Sequence, residues 1–519
     1  MLPYIDYFDK GVARFPNRDF LVDEAQRITF QEAADLTHRV ADGLLLAGLG
    51  KDDAVATMAP NSAIAYICQW GVIRSGSPWL PVNIRNGLDE NIDILKRMRI
   101  RFLFFDSTLA DQADRIIAEV PSLKQAVCVD RSAGSHPSLD SWLPSPETPR
   151  QRRHARGPGD VVSIPTTSGT SGRPKGVMLT NASFSAGIAN FDALMPYDVA
   201  PVTLAVAPLT HGAGYFAGTL IPRGGTIVMH RSTDPGDVLR SIEEHQVTTL
   251  FLPPTLLYGM LDHPDVRSFD YSSLRYLIMG AAPLSATKAR EAIETFGPVL
   301  CNNYSQTEAP VTAAFMTPPQ YVEAINDESL SRRMFSVGTE APYTRIAIMD
   351  DEGNLLQPDT PGEIVIRGDV VMKGYFEDPE QTTLASAHGW HHTGDIGYIA
   401  PDGYVYLVDR KKDMIISGGF NVYPQEVEQQ IWGYPGIMDC AVVGIPDERW
   451  GESVTAVIET TPDSDLDINA LSRHLRSKLG GVKAPKRIVE WDHLPRSGTG
   501  KILKREIRDA FWQDLDRKI

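Results

Sequence analysis

Between Asp160 and Tyr304 six short apolar runs follow one another, VVSIP, TLAVAPL, TIVMH, TTLFLPP, LRYLIMGA and VLCNNY, and each ends near Gly, Pro, Ser or Thr. Runs of this length separated by segments of helical period predict buried, mostly parallel strands with helices packed on them. The first 150 residues alternate in the same way, with QEAADLTHRVADGLLLAGL helical and DAVATMAP and IRFLFFD as strands. The stretches Thr203 to Leu209 and Thr248 to Leu257 are both read as buried strands, too short for the roughly 20 residues of a membrane helix. In such sheets ligands gather at the strand ends.

A chain of 519 residues exceeds what one hydrophobic core supports, so at least two domains are expected. Beyond Arg332 the runs shorten and carry turn signals, MDDEG, PDTPGE and APDGY, which predict antiparallel hairpins. The charged junction VDRKKDM then opens a last unit with a βαβ-like pattern. The expected class is therefore α/β. A large N-terminal domain, 1–410, holds mixed and parallel sheets plus an antiparallel region, and a small mobile α+β domain covers 411–519. RQRRHAR, within the Pro- and Gly-rich stretch 144–158, reads as a surface connection rather than a nucleic-acid patch.

Fifty Lys and Arg against 66 Asp and Glu give a formal charge of -16, which disfavours nucleic acid as a partner. Cys68, Cys128, Cys301 and Cys440 are too scattered for a metal motif or a disulfide framework, and the N-terminus lacks an apolar signal stretch. A cytoplasmic protein with no integral membrane association is expected, and a homodimer stays open.

The segment Thr166-Thr167-Ser168-Gly169-Thr170-Ser171-Gly172-Arg173-Pro174-Lys175-Gly176 follows VVSIP. Its glycines let backbone N–H groups approach an oxyanion, its hydroxyls donate further bonds, and Lys175 adds positive charge beside phosphates. It is not a Walker A loop, because Gly176 stands where Ser or Thr would follow the lysine. The loop resembles the signature of the acyl-adenylate-forming superfamily, which includes acyl-CoA synthetases, adenylation domains of nonribosomal peptide synthetases and beetle luciferases. Four further segments agree in order: Asn303-Tyr304-Ser305-Gln306-Thr307-Glu308, His392-Thr393-Gly394-Asp395, Asp409-Arg410-Lys411-Lys412-Asp413 leading into ISGGFNVYPQEVE, and Pro495-Arg496-Ser497-Gly498-Thr499-Gly500-Lys501.

The resemblance implies a carboxylate–CoA ligase that uses ATP and coenzyme A, with Mg²⁺ as the metal. It implies that Tyr304 lies against adenine with Gly280, Ala281 and Ala282 as the opposite wall, although Tyr304 alone could equally be core. Asn303 and Ser305 flank that ring. Thr307 touches phosphate, Glu308 and Thr167 hold Mg²⁺, Asp395 accepts from both ribose hydroxyls, and Arg410 holds ribose or phosphate. Lys501 is implied to enter the site on a C-terminal arm and neutralise charge between the carboxylate and the α-phosphate. The C-terminal domain is then expected to rotate about a hinge near Lys412, where many relatives carry Asp, and to present Ser417, Gly418 and Gly419 to the pantetheine arm.

The acyl pocket is expected beside Thr210-His211-Gly212-Ala213-Gly214, Gly280 and Ala309-Pro310-Val311. With no ionisable group there but His211, the acid should be apolar, aromatic or a medium to long aliphatic chain. His211 reads either as a gate beside the acyl carbon or as a packed histidine. Two other readings stand beside the CoA ligase: an adenylation enzyme that loads a carrier protein, and a nucleotide-binding regulator without turnover.

Overall fold

The structure is a computed structural model that describes residues 1–167, 174–230, 232–280, 284–410, 413–417, 420–447, 450–461, 464, 466–496 and 502–512, without the side chains of Arg410, Asn421 and Trp512. Ser168, Gly169, Thr170, Ser171, Gly172, Ala281, Ala282, Lys412, Gly418, Gly419 and Lys501 lie outside the described residues.

Two large sheets form the N-terminal part. In the nine-stranded sheet, Asp19–Val22, Thr226–Met229, Val202–Ala205, Thr249–Leu252, Tyr276–Met279 and Leu300–Gln306 run parallel in that spatial order, and antiparallel strands close both edges. In the seven-stranded sheet, Val161–Ser163, Trp79–Pro81, Val55–Met58, Phe102–Phe105 and Gln125–Cys128 are parallel. On one edge Val177–Thr180 and then Gly374–Tyr375 are added antiparallel.

Strand periodicity explains how one sequence run serves two cores. Successive side chains point to opposite faces. Phe102 and Phe104 therefore join the core between the sheets, while Leu103 and Phe105 join the core on the outer face of the smaller sheet. Ile227 and Met229 face inward in the same way, whereas Val228 belongs to the outer core of the larger sheet. The helix Ala63–Ser75 sits in the inner core and buries nearly its whole surface, which is why its sequence AIAYICQWGVIRS shows little amphipathic contrast.

One expected strand is corrected. The run Thr248 to Leu257 stays extended only over Thr249–Leu252, and a helix Pro254–Leu261 begins at once. Proline at the first helical position has no N–H to lose and a φ already suited to the helix. Leu257 is thus buried from a helix, not a strand.

The antiparallel region is a four-stranded sheet of Arg345–Met349, Gly362–Arg367, His391–Ile399 and Val405–Arg410. After Arg410 a separate sheet is built from Phe420–Val422, Ile415–Ser417, Gly451–Thr460 and Ile437–Asp447. Arg487–Glu490 lies parallel to Gly451–Thr460, with the helix Ile468–Lys483 between them in sequence, which is the expected βαβ element. Among the described residues no helix is long and apolar enough to cross a membrane.

The RQRRHAR stretch is a connection, and it is tied down. Asp42, buried in the helix Phe30–Leu46, accepts from Arg153 at 2.6 Å, Arg150 at 3.1 Å and the Gln151 N–H at 2.8 Å. Burial pushes the Asp42 carboxyl up, but these three donors outweigh it and hold it below the usual carboxylate range. Asp42→Ala should cost about 2 kcal/mol, less than a fully buried pair because both arginines keep contact with water. Limited trypsin digestion should cut within 150–156 several-fold faster. An unchanged cleavage rate would contradict the role of this tether.

Candidate active site

The Thr166 to Gly176 segment leaves one strand of the smaller sheet and enters the next. Thr166 and Gly176 form an antiparallel bridge, the Thr167 N–H donates to the Lys175 carbonyl at 3.0 Å, and the Lys175 N–H donates to Thr167 Oγ1 at 3.2 Å. The two ends of the loop are therefore pinned together. Lys175 Nζ donates to Gln381 Oε1 at 2.6 Å and stands 4.8 Å over the ring of Tyr375.

Thr307 and Glu308 are the two-residue turn between the strands Leu300–Gln306 and Ala309–Met316, where Gln306 pairs with Ala309. A two-residue connection is what a tight hairpin permits, and it projects both side chains from the sheet end. Glu308 Oε1 accepts from the Tyr375 hydroxyl at 2.9 Å. One aromatic side chain thus touches both Lys175 and Glu308.

At the end of the strand Leu300–Gln306, the Tyr304 hydroxyl donates to Asp395 Oδ2 at 2.7 Å and Gln306 Nε2 donates to the same oxygen at 2.8 Å. Gln306 Nε2 also donates to the Thr393 carbonyl at 2.9 Å, and Gln306 Oε1 faces His391 Nε2 at 3.3 Å. Burial pushes the His391 imidazole down, which favours a neutral ring donating to that amide oxygen. Arg410 is the strand partner of Asp395 and so lies directly across from it. The Tyr304 ring is buried in a cluster with Ala186, Ala309 and Ala313. Asn303 Nδ2 donates to the Val311 carbonyl at 2.9 Å, while its buried Oδ1 has no hydrogen-bond partner among the described residues. An acceptor left in this way suits a base with an exocyclic amino group, because an unmet buried polar atom is costly. Ser305 is exposed.

His211 directly precedes the helix Gly212–Leu220 without a side-chain capping bond, and its Nδ1 is 3.0 Å from Thr210 Oγ1. Burial, with Arg85 adding to it, pushes the imidazole down to about 4, so it is neutral near pH 7. Gly214 admits no other residue, since a Cβ there would lie 1.9 Å from the Leu209 carbonyl oxygen. Gly280 packs against the Phe251 ring, which stacks on Phe216 at 6.1 Å, and Phe216 meets Phe191 edge-on. Phe216 and Phe191 are buried in the core between the two sheets, and Phe251 packs against it.

The structure thus joins Lys175 with Glu308, and Tyr304 with Asp395 and Arg410. No hydrogen bond among the described residues links His211 or Ser417 to these groups, and Ser417 is buried in the C-terminal sheet. Tyr375, Gln381, Gln306 and His391 were not foreseen from the sequence. Only Gln306 lay inside a recognised motif; GYFEDPEQT carries no phosphate-binding pattern of its own.

Residues 8–376 match the model of the AMP-binding enzyme family, and residues 426–501 match that of the AMP-binding enzyme C-terminal domain. The chain belongs to the AMP-binding enzyme family. A feruloyl-CoA synthase of Amycolatopsis sp is 35% identical over 495 residues, 93% of this chain and 94% of that protein. The medium/long-chain-fatty-acid–CoA ligase FadD8 of Mycobacterium tuberculosis (strain ATCC 25618 / H37Rv) is 35% identical over 532 residues, 98% of this chain and 90% of that one. Among solved structures, the amide bond synthetase McbA from Marinactinospora thermotolerans superposes with a TM-score of 0.88 at 26% identity, covering 98% of this chain and 100% of that one.

The oxygen donors at Thr167 and Glu308 are of the kind a magnesium ion takes. Thr167 and Glu308 supply a hydroxyl and a carboxylate, and Mg²⁺ takes few protein oxygens while keeping waters and substrate phosphates. Among the described residues no group of three or more His, Cys, Asp or Glu forms a cage for another metal.

Proposed function

We propose that this chain is an ATP-dependent carboxylate–CoA ligase. It forms an acyl-adenylate and pyrophosphate, then transfers the acyl group to CoA with release of AMP. The substrate class is an apolar acid, aromatic or medium to long aliphatic. One observation carries the reading: Tyr304, Gln306 and Asp395 are bonded into a nucleoside-side unit, while Lys175 and Glu308 are held as a phosphate-side unit by Tyr375.

Asp395 accepts hydrogen bonds from ribose and Asn303 meets the base, which orients the α-phosphate. Lys175 and the pinned loop donate to the phosphates, and Lys501 supplies charge where the carboxylate attacks. A bound Mg²⁺, held by Glu308 and Thr167, would neutralise the triphosphate. The neutral His211 and the Phe251 ring against Gly280 favour an uncharged acyl tail. Rotation of 411–519 about a hinge near Lys412 exchanges Lys501 for the face carrying Ser417, Gly418 and Gly419, which admits CoA. The separate sheet after Arg410 and the C-terminal family match from 426 support that division. A reducing cytoplasm is part of the proposal and fits Cys68, Cys128, Cys301 and Cys440, all buried and unpaired.

Benzoates, cinnamates, indole acids and fatty acids should be screened for CoA-dependent AMP formation. At least one apolar acid should support turnover with CoA. Strict dependence on a carrier protein would replace the CoA assignment, and failure of every acid to drive pyrophosphate exchange into ATP would remove the enzymatic one.

A further inference from the structure

We infer that Tyr375 is a positioning residue that sets the two phosphate-side groups at once, its ring face carrying the Lys175 ammonium and its hydroxyl orienting the Glu308 carboxylate. The inference rests on the ATP-binding reading above.

Tyr375 is placed by sheet register. The strand Gly374–Tyr375 pairs antiparallel with Val177–Thr180, Tyr375 opposite Val177, so it lies beside the exit of the phosphate loop. Its backbone is fixed from several sides. The Tyr375 N–H donates to Thr382 Oγ1 at 2.9 Å, the Phe376 N–H to the Gly176 carbonyl at 2.8 Å, and the Met372 N–H to the Glu308 carbonyl at 2.7 Å. The segment 372–382 therefore staples the loop exit to the hairpin turn that carries Glu308.

The side chain then gives each of the two charged groups a contact of its own. A lysine and a glutamate held this close to one ring would ordinarily close into an ion pair, and each would screen the charge the other needs to show a ligand. Among the described residues no salt bridge joins Lys175 to Glu308; the ammonium lies over the ring face of Tyr375 and the carboxylate meets its hydroxyl. Lys175 rests on neutral partners, the ring face and the Gln381 amide oxygen, which it can leave for a triphosphate more easily than a carboxylate. A phenol hydroxyl has one proton to give, and here it is given to that carboxylate.

Titration calorimetry of the full-length wild type, Tyr375→Phe and Tyr375→Leu with AMP, with ATP in EDTA and with ATP plus Mg²⁺ separates the two contacts from mere packing. AMP, which lacks the β- and γ-phosphates, should bind all three proteins equally. Tyr375→Phe should bind metal-free ATP like the wild type but lose about tenfold of the affinity gained on adding Mg²⁺. Tyr375→Leu should lose that gain and also bind metal-free ATP about fivefold more weakly, since the cation loses its platform and can collapse onto Glu308. A full Mg²⁺ gain in Tyr375→Phe overturns the inference, as does a fall in AMP affinity matching that for ATP in either variant. Metal-free ATP binding equally tight in both variants removes the Lys175 contact from it. If the wild type binds no ATP, the reading of the site itself fails, which none of the variant outcomes would produce.

Discussion

Lys501→Ala should lower acyl-adenylate formation by about 10³-fold while leaving thioester formation from a supplied acyl-adenylate within about tenfold of the wild type. Adenylation brings a carboxylate against a triphosphate, two anions whose repulsion grows as water is excluded. A lysine introduced for that step removes a barrier that the thiol step does not share. Lys501 lies outside the described residues, but the feet of its segment do not. Arg496 and Ile502 form an antiparallel bridge, and the Leu503 N–H donates to the Pro495 carbonyl at 2.8 Å. Arg496 is held by Asp439 at 2.9 Å and Glu459 at 3.1 Å, and Lys504 by Glu428 at 2.8 Å. The residues on either side of the segment are thus clamped by charge. Pyrophosphate exchange and AMP release from synthetic acyl-adenylate measure the two steps separately. Equal loss in both would refute the assignment.

Asp395→Ala should reduce kcat/KM for ATP by about 10²-fold with little change in KM for the acid. The carboxylate is nearly buried, and its Oδ2 already accepts from Tyr304 and Gln306. Its own N–H donates to Thr393 Oγ1, and the Gly394 N–H donates to Glu363 Oε1 at 3.0 Å, so the turn is set before nucleotide arrives. Removing the carboxylate withdraws the proposed ribose acceptor and the hydrogen bonds it takes from Tyr304 and Gln306, each worth about 1.5–3 kcal/mol for a charged acceptor. Discrimination between ATP and its 2′- and 3′-deoxy analogues distinguishes recognition from packing. The wild type should prefer ATP, and the variant should show little preference. A variant that keeps the full preference would show that Asp395 only supports Tyr304.

The candidate site was partly legible because motif residues stay close in sequence when one turn carries them. Thr307 and Glu308 occupy a hairpin turn that needs only its flanking strands, and Asp395 and Arg410 oppose each other in neighbouring strands of one sheet. The contact of Lys175 with Gln381 spans 206 residues and that of Tyr375 with Glu308 spans 67, so no local pattern announces either. Thr248 to Leu257 shows the limit on the fold side, since a continuous apolar run is the same string in a strand as in the helix that follows it.

The chain by itself determined where strands and turns form and which hydroxyls, carboxylates and lysines are available, because backbone preference and side-chain period are local properties. Only the tertiary structure decided that an aromatic side chain from an edge strand would touch both Lys175 and Glu308, and that Tyr304 would bond to Asp395. The first depends on the register between Gly374–Tyr375 and Val177–Thr180, the second on how two different sheets pack. Register is fixed by which faces of the two sheets must be buried together, a condition that no single segment of the sequence contains.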